Sequence, residues 1–430
     1  DAYNMMELRT IHPSLVHDSA YDKRTGFKTK QVLTYPIVAD NKYLMGVLQL
    51  LNKKTGPRFT RKDEESVAEL TKALGSAFHH LKTALKTNPT KFDLLLSSTT
   101  VTGFTSTNMT IANNQLNGWN LIMTNASGIT SGNITNASIR DNGLDGINVD
   151  ATDGTASQFG DNTVGGSINF TGAQIIDNGQ NVVGADGLRL RLYGGSSGNL
   201  QFNTSLIGNT TLVPVATQTN GVDFILGSGA FPGGSLTAAF LNSNVSGNNA
   251  DGILGLINGT GVAGQSFADI SLSNSKVQVN NADGIDLSVN NAGRLGLIID
   301  NNSLVDTNGS DGVLINATDA ATSVAGFILN SSLTNNGQAT PPGLGNGLTG
   351  NFDSGATGNF TVTSATIGNT LVGGAQQNGL IFNVNQNAVA TATNVKLDIL
   401  TSTLSNNAVS GLAGNITGNN VGLNPTKGMQ

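Results

Sequence analysis

Asn274-Ser275-Lys276-Val277-Gln278-Val279-Asn280-Asn281-Ala282-Asp283-Gly284-Ile285-Asp286-Leu287-Ser288-Val289 is the clearest copy of a frame that recurs along most of this 430-residue chain. An Asn opens the frame, an apolar residue follows three positions later, and a second Asn three after that. Asp-Gly and a β-branched residue close it. Other copies open at Asn136, Asn242 and Asn302, continue through Ile139, Val245 and Val305 to Asn142, Asn248 and Asn308, and close at Asp145-Gly146, Asp251-Gly252 and Asp311-Gly312. Counting looser copies, the turn glycine falls at 146, 187, 221, 252, 284, 312, 347, 379 and 411, a period near 32. Such a period marks a solenoid or array. The pieces between turns are short and β-branched, and strong helix formers are scarce. Each unit is therefore predicted to be one β-coil, stacked on its neighbours at about 4.8 Å.

In that arrangement Val277, Ile285 and their equivalents point inward and form columns. The turn Gly is expected to supply a positive-φ backbone. The second Asn of each frame (Asn142, Asn248, Asn280, Asn308, and Asn407 in the last unit) is expected to bond its counterparts above and below as an amide ladder. Asn column, turn glycine and coil length together resemble right-handed parallel β-helix proteins of the pectate-lyase-like class, over residues 97–430. The frame is broken at 192–197, 218–231 and 338–344, where loops are expected.

Composition divides the chain. Charged residues make up only 12% against 38% hydrophobic, which excludes a disordered polyampholyte. Up to position 93 there are 15 basic and 10 acidic residues; beyond it, 7 basic and 18 acidic. Every Glu and every His lies at or before His80. Two domains are predicted, 1–93 and 94–430. Cysteine is absent, so disulfides, thiolate chemistry and Cys-based metal sites are excluded. No apolar run approaches the roughly 18 residues of a membrane span. The chain begins at Asp1 rather than Met and is taken as a fragment.

In the first part, residues 31–38 and 43–51 are predicted as a hairpin about a turn at 39–42. Thr60-Arg61-Lys62-Asp63 is a capping-box-like start, with Phe59 as the preceding staple, for a helix from Arg61 to about Lys86. Val67, Leu74 and Leu81 form its apolar stripe, suited to packing on the hairpin or to a helix-mediated dimer through residues 61–86. Asn52-Lys53, Phe59 and Asp63-Glu64 resemble the Asn-Lys/Phe/Asp-Glu signature of GAF domains that bind cyclic nucleotides, and residues 20–86 resemble the C-terminal half of that fold. The resemblance implies a Lys53–Asp63 salt bridge acting as a structural lock, and a cytoplasmic setting.

Beyond Asp93, acid–base chemistry is left to Asp, Tyr193 and a few basic residues. Asp186 with Arg189 and Arg191 is the best catalytic candidate, resembling weakly the acid-plus-arginine chemistry of pectate lyases. Paired carboxylates for glycoside hydrolysis are available at Asp141 with Asp145 and Asp283 with Asp286. The Asp column (Asp145, Asp186, Asp251, Asp283, Asp311) has the hard oxygens that calcium takes, but Asp before Gly is also a turn residue bonding its own backbone, the reading preferred here. No cofactor and no metal are therefore assigned. An acidic second part without a basic patch is not expected to bind nucleic acid. The expected function is a non-catalytic structural or adhesive β-helix at a cell surface, with a carbohydrate or surface partner. The alternatives are a polysaccharide lyase or hydrolase, and a cyclic-nucleotide sensor acting through the GAF-like part.

Overall fold

The computed structural model describes residues 2–4, 22–23, 26, 28–38, 44–56, 58–87, 92–161, 166–181, 184–210, 218–261, 266–338, 345–370, 374–385, 392–417 and 423–425. The expected turn at 39–42 and most of the expected loop at 338–344 lie outside them. The chain divides into two compact units, Asp1–Asn88 and Pro89–Gln430.

The second unit is a parallel β-helix. Among the described residues its three sheets contain 11, 14 and 10 strands, and every strand pair in them is parallel. Each full coil contributes one strand to each sheet in turn: Ile253–Asn258, then Phe267–Ser273, then Lys276–Gln278, before Ile285–Asn290 begins the next. Ile253 pairs with Ile285 and Ile285 with Val313, so equivalent positions stack. Strands alternate because every second side chain turns inward. In Phe267–Ser273 the inward residues Ala268, Ile270 and Leu272 are fully buried. The core continues from Leu96 to Val395. Phe170, Phe202 and Phe240 stack face to face at 4.9 and 5.1 Å down the second sheet, as identical register on successive coils dictates. The 32-residue period is met where coils are regular (Asn248 to Asn280) and shortens to 28 between Asn280 and Asn308.

The turn glycine does a different job from the one expected. None of the frame-closing Asp-Gly glycines (Gly146, Gly187, Gly252, Gly284, Gly312) has positive φ; the opening Asn carries it, at +52° for Asn136, +50° for Asn242, +47° for Asn274 and +64° for Asn302. Asn tolerates this conformation because its short amide bonds locally. Glycine is required at the turn for space. A Cβ on Gly284 would lie 2.6 Å from the Gly312 carbonyl oxygen, 2.7 Å from the Asn308 amide nitrogen and 2.9 Å from Val305.

The first unit is a three-stranded antiparallel sheet (Ala2–Asn4, Gln31–Val38, Leu44–Leu51) with the helix Arg61–Thr87. Thr60 caps the helix: its hydroxyl accepts from Asp63 N–H at 3.4 Å, while the Asp63 carboxylate accepts from Thr60 N–H at 2.6 Å. Val67 packs with Phe59 and Leu33 in a small core, so this part of the stripe is spent on the hairpin. Leu70, one turn on, stays half exposed.

Candidate functional site

The outer face of the first sheet brings the predicted acid and arginines close, though not as a unit. Strand Leu188–Leu192 turns Leu188, Leu190 and Leu192 inward, which leaves Arg189 and Arg191 outside. Arg191 pairs with Asp223 of the next coil at 2.5 Å, both only 12% exposed. Arg189 reaches back to Asp145 at 3.8 Å and is 43% exposed. Asp186 meets neither arginine. Its Oδ1 accepts from the backbone and side-chain amides of Asn220, at 3.1 and 2.9 Å. Asp223, unremarked in the sequence, is the true arginine partner; Asp141 bonds its neighbour Arg140 instead.

Asp186 belongs to a column that runs the length of the turn. Asp145 Oδ1 accepts from Asp186 N–H at 2.8 Å, Asp251 from Asp283 N–H at 2.8 Å, Asp283 from Asp311 N–H at 2.6 Å, and Asp311 from Asn346 N–H at 2.6 Å. The carboxylates thus bond the following coil rather than their own backbone, correcting the turn-residue expectation. Asn220 and Asn346 fill the same column and make the same bond onward, to Asp251 and Asn378.

Burial and mutual repulsion raise these carboxyls. Desolvation is the larger cause at Asp186, followed by Asp223 and Asp145. Asp283 is pushed up to about 7 by burial and then by Asp311, and Asp286 to about 6 by burial and then by Asp251. Burial also raises Asp145, Asp251 and Asp311, against hydrogen bonds that lower them. Among the described residues no three His, Asp or Glu side chains are arranged to hold a metal ion.

The predicted ladder is present and longer than the frame indicated. Asn114 donates to Asn142 at 2.7 Å, Asn142 to Asn178 at 2.8 Å, Asn178 to Gln218 at 3.2 Å and Gln218 to Asn248 at 3.0 Å. Asn248 then donates to Asn280 at 2.8 Å, Asn280 to Asn308 at 2.9 Å and Asn308 to Asn336 at 3.0 Å. Gln376 links Asn336 to Asn407, at 3.5 and 3.1 Å. Asn114, Asn178, Asn336, Gln218 and Gln376 were not foreseen. An apolar residue three positions before an Asn would have found the three asparagines (Ile111, Ile175, Leu333). The glutamines have no such signal, since each follows an insertion.

In the first unit Lys53 bonds Asp63 at 2.5 Å, as the resemblance implied. That bond, with those from Thr60, lowers Asp63 to about 2. Asn52 sits at φ +50° and its amide oxygen accepts from Lys30 and Gln31 N–H at 2.6 and 3.1 Å, tying the end of one strand to the start of another. Phe59 is buried, and the Glu64 backbone N–H begins the helix on Thr60 O at 3.1 Å. No helix among the described residues is long and apolar enough to cross a membrane. No family model and no solved structure matches this chain.

Proposed function

We propose that the β-helix is a non-catalytic structural and adhesive rod of the cell-surface kind, joined to a remnant of a GAF-like domain. One observation carries the reading: the carboxylates best placed for catalysis are used as acceptors for the next coil's N–H groups. A general acid or base needs a carboxyl whose proton can reach a substrate, and these are more than nine-tenths buried. Removing one would loosen the coil before it changed any chemistry. Near-uniform repeats and low charge suit a rod of the surface kind, and the Lys53–Asp63 bond supports the GAF-like reading of the first unit. The test is incubation of the intact chain with neutral and uronate polysaccharides, assayed for new reducing ends and unsaturated products. No release is expected; release that Arg191→Ala or Arg189→Ala abolishes would overturn the reading.

The carbohydrate-active alternative keeps one observation in its favour. Arg189 is the half-exposed arginine of the sheet face and reaches Asp145, whose carboxyl, raised by burial, stays protonated more readily than an ordinary Asp. The sensor alternative predicts saturable cyclic-nucleotide binding by the full chain; a flat calorimetric titration removes it.

A further inference from the structure

The outer face of the first sheet changes character along the rod. Near its start Asn148 donates to Asn120 at 2.9 Å; at its far end Asn415, Asn383 and Asn351 form an amide row that ends on Asn316. Between these polar stretches Arg189, Asp223, Leu254 and Asp286 stand in one outward row, in register on successive strands. Ile225 and Leu256 hold the row beside it. Leu254, Leu256 and Ile225 are half-buried although they point away from the core. An apolar centre inside a polar rim is how protein interfaces are built.

Two charged groups of this stretch are left without proper partners. Asp286 Oδ1 is buried and accepts no hydrogen bond. Leu254 and Leu314 flank that residue on the adjoining strands, and the charges acting on it are further acids, Asp251 and Asp311. Arg189 Nε is likewise buried and finds no acceptor, and the guanidinium reaches Asp145 only at 3.8 Å, too far for a hydrogen bond. Arg191 and Asp223, which lie between them, satisfy each other. The orphans are thus one donor and one acceptor in the same row, three strands apart, or roughly 14 Å. Buried polar atoms without partners are costly and call for an explanation.

A partner that answers both must carry an acid and a base in the reverse order at the same spacing. A purely basic partner meets Arg189, and a purely acidic one meets Asp223 and Asp286. The same face turned end for end supplies the required order. A two-fold axis parallel to the strands, in the plane of contact and midway between Asp223 and Leu254, sets Arg189 of each copy over Asp286 of the other. The same operation sets Ile225 against Leu256 at the centre, as an isologous contact requires. Eight strands, from Trp119–Thr124 to Leu348–Asp353, lie symmetrically about that axis. At about 4.8 Å per strand and 3.3 Å per residue they present roughly 38 by 18 Å, or about 700 Å². A standard stable interface takes about 800 Å² from each partner. We infer that this face holds a second copy of the chain, the two rods lying antiparallel with Arg189 and Asp286 paired across the contact.

The experiment is sedimentation velocity of the intact chain from low to high micromolar concentration. The wild type should form a dimer. Arg189→Glu or Asp286→Arg alone sets like charges against each other twice, and each should weaken association by roughly a hundredfold. Mixed in equal amounts, the two variants should recover a dimer containing one of each, because a wholly acidic row then meets a wholly basic one. A chain carrying both changes should pair with itself as the wild type does. Thermal melting checks that each variant is folded; where Asp286→Arg is not, Ile225→Thr at the centre of the face is read instead, with an expected loss of about tenfold. A monomeric wild type, a dimer that survives both single reversals (held elsewhere, for instance through the helix Arg61–Thr87), or reversed variants that do not recover on mixing would overturn the inference. The pairing needs only the β-helix, so none of these results touches the non-catalytic reading, which the polysaccharide assay decides separately.

Discussion

Asp63 and Asp283 are both carboxylates at structural joints, and the two units treat them in opposite ways. Asp63 has Lys53 and the Thr60 cap around it and is held near 2. Asp283 is stacked among Asp251, Asp286 and Asp311 in a buried column and is pushed to about 7. The first unit joins its helix and strand by charge at the surface. In its buried turn columns the second joins coil to coil by neutral or proton-retaining groups, which repetition favours: a column that stacks identical side chains can satisfy amides indefinitely but cannot pair like charges.

The largest expected effect tests whether the amide ladder is what holds the coils. Asn280→Ala leaves the Asn248 side-chain amide and backbone N–H without their acceptor, and leaves Asn308 Oδ1 only the backbone N–H of residue 280. With a buried unmet polar group at about 1–3 kcal/mol each, the loss should be on the order of 3–5 kcal/mol by urea denaturation. A loss under about 1 kcal/mol would move the weight of stability to the apolar columns. Gly284→Ala comes next. Its methyl group meets backbone as well as side chains, so overpacking of about 1–3 kcal/mol is expected.

The pH dependence sharpens the contrast directly. In the unfolded chain an Asp titrates near 3.9. Folded Asp283 and Asp286 retain protons that the unfolded chain releases, so solenoid stability should be full below about pH 4. It should fall as pH rises through 4 to 7 and then level off. Asp63 runs the other way: its contribution is present above about pH 4 and is lost as pH falls toward 2. Asp283→Asn should keep the bond to Asp311 N–H, as Asn220 and Asn346 do in the same column. Its melting temperature should exceed the wild type's by a few degrees at pH 8 and match it at pH 4. Equal melting at both would show that Asp283 is not titrating. The smallest effect is Lys53→Met, which should move Asp63 from about 2 back toward the ordinary Asp value in a carboxyl NMR titration, with little change in melting, as befits a solvent-exposed pair.

The fold was legible wherever the frame was complete. Asn142, Asn248, Asn280, Asn308 and Asn407 could be placed because an inward residue and an Asn sit three apart on the same turn. Gln218 and Gln376 could not, since an amide one methylene longer does the work after an insertion breaks the spacing. The turn glycine was right in identity and wrong in cause: sequence shows that a Cβ is unwelcome, and only coordinates show whether a dihedral or a neighbour forbids it. The candidate site was the least legible part. Asp186, Arg189 and Arg191 lie within six residues of one another, but a coil boundary sends their bonds to Asn220, Asp145 and Asp223 on different coils.

From Asn114 to Asn407 every side-chain rung of the ladder donates toward higher residue numbers, whereas on the outer face Asn415, Asn383 and Asn351 donate toward lower ones, ending on Asn316. Each row is a chain of aligned dipoles, and no member can reverse alone without setting donor against donor on one side and acceptor against acceptor on the other. Over the coils from Asn316 to Asn415 the two rows are aligned in opposite senses. A coil peeled from the C-terminal end under tension breaks one rung of each row and leaves the remaining rungs aligned, so unwinding from that end should proceed coil by coil.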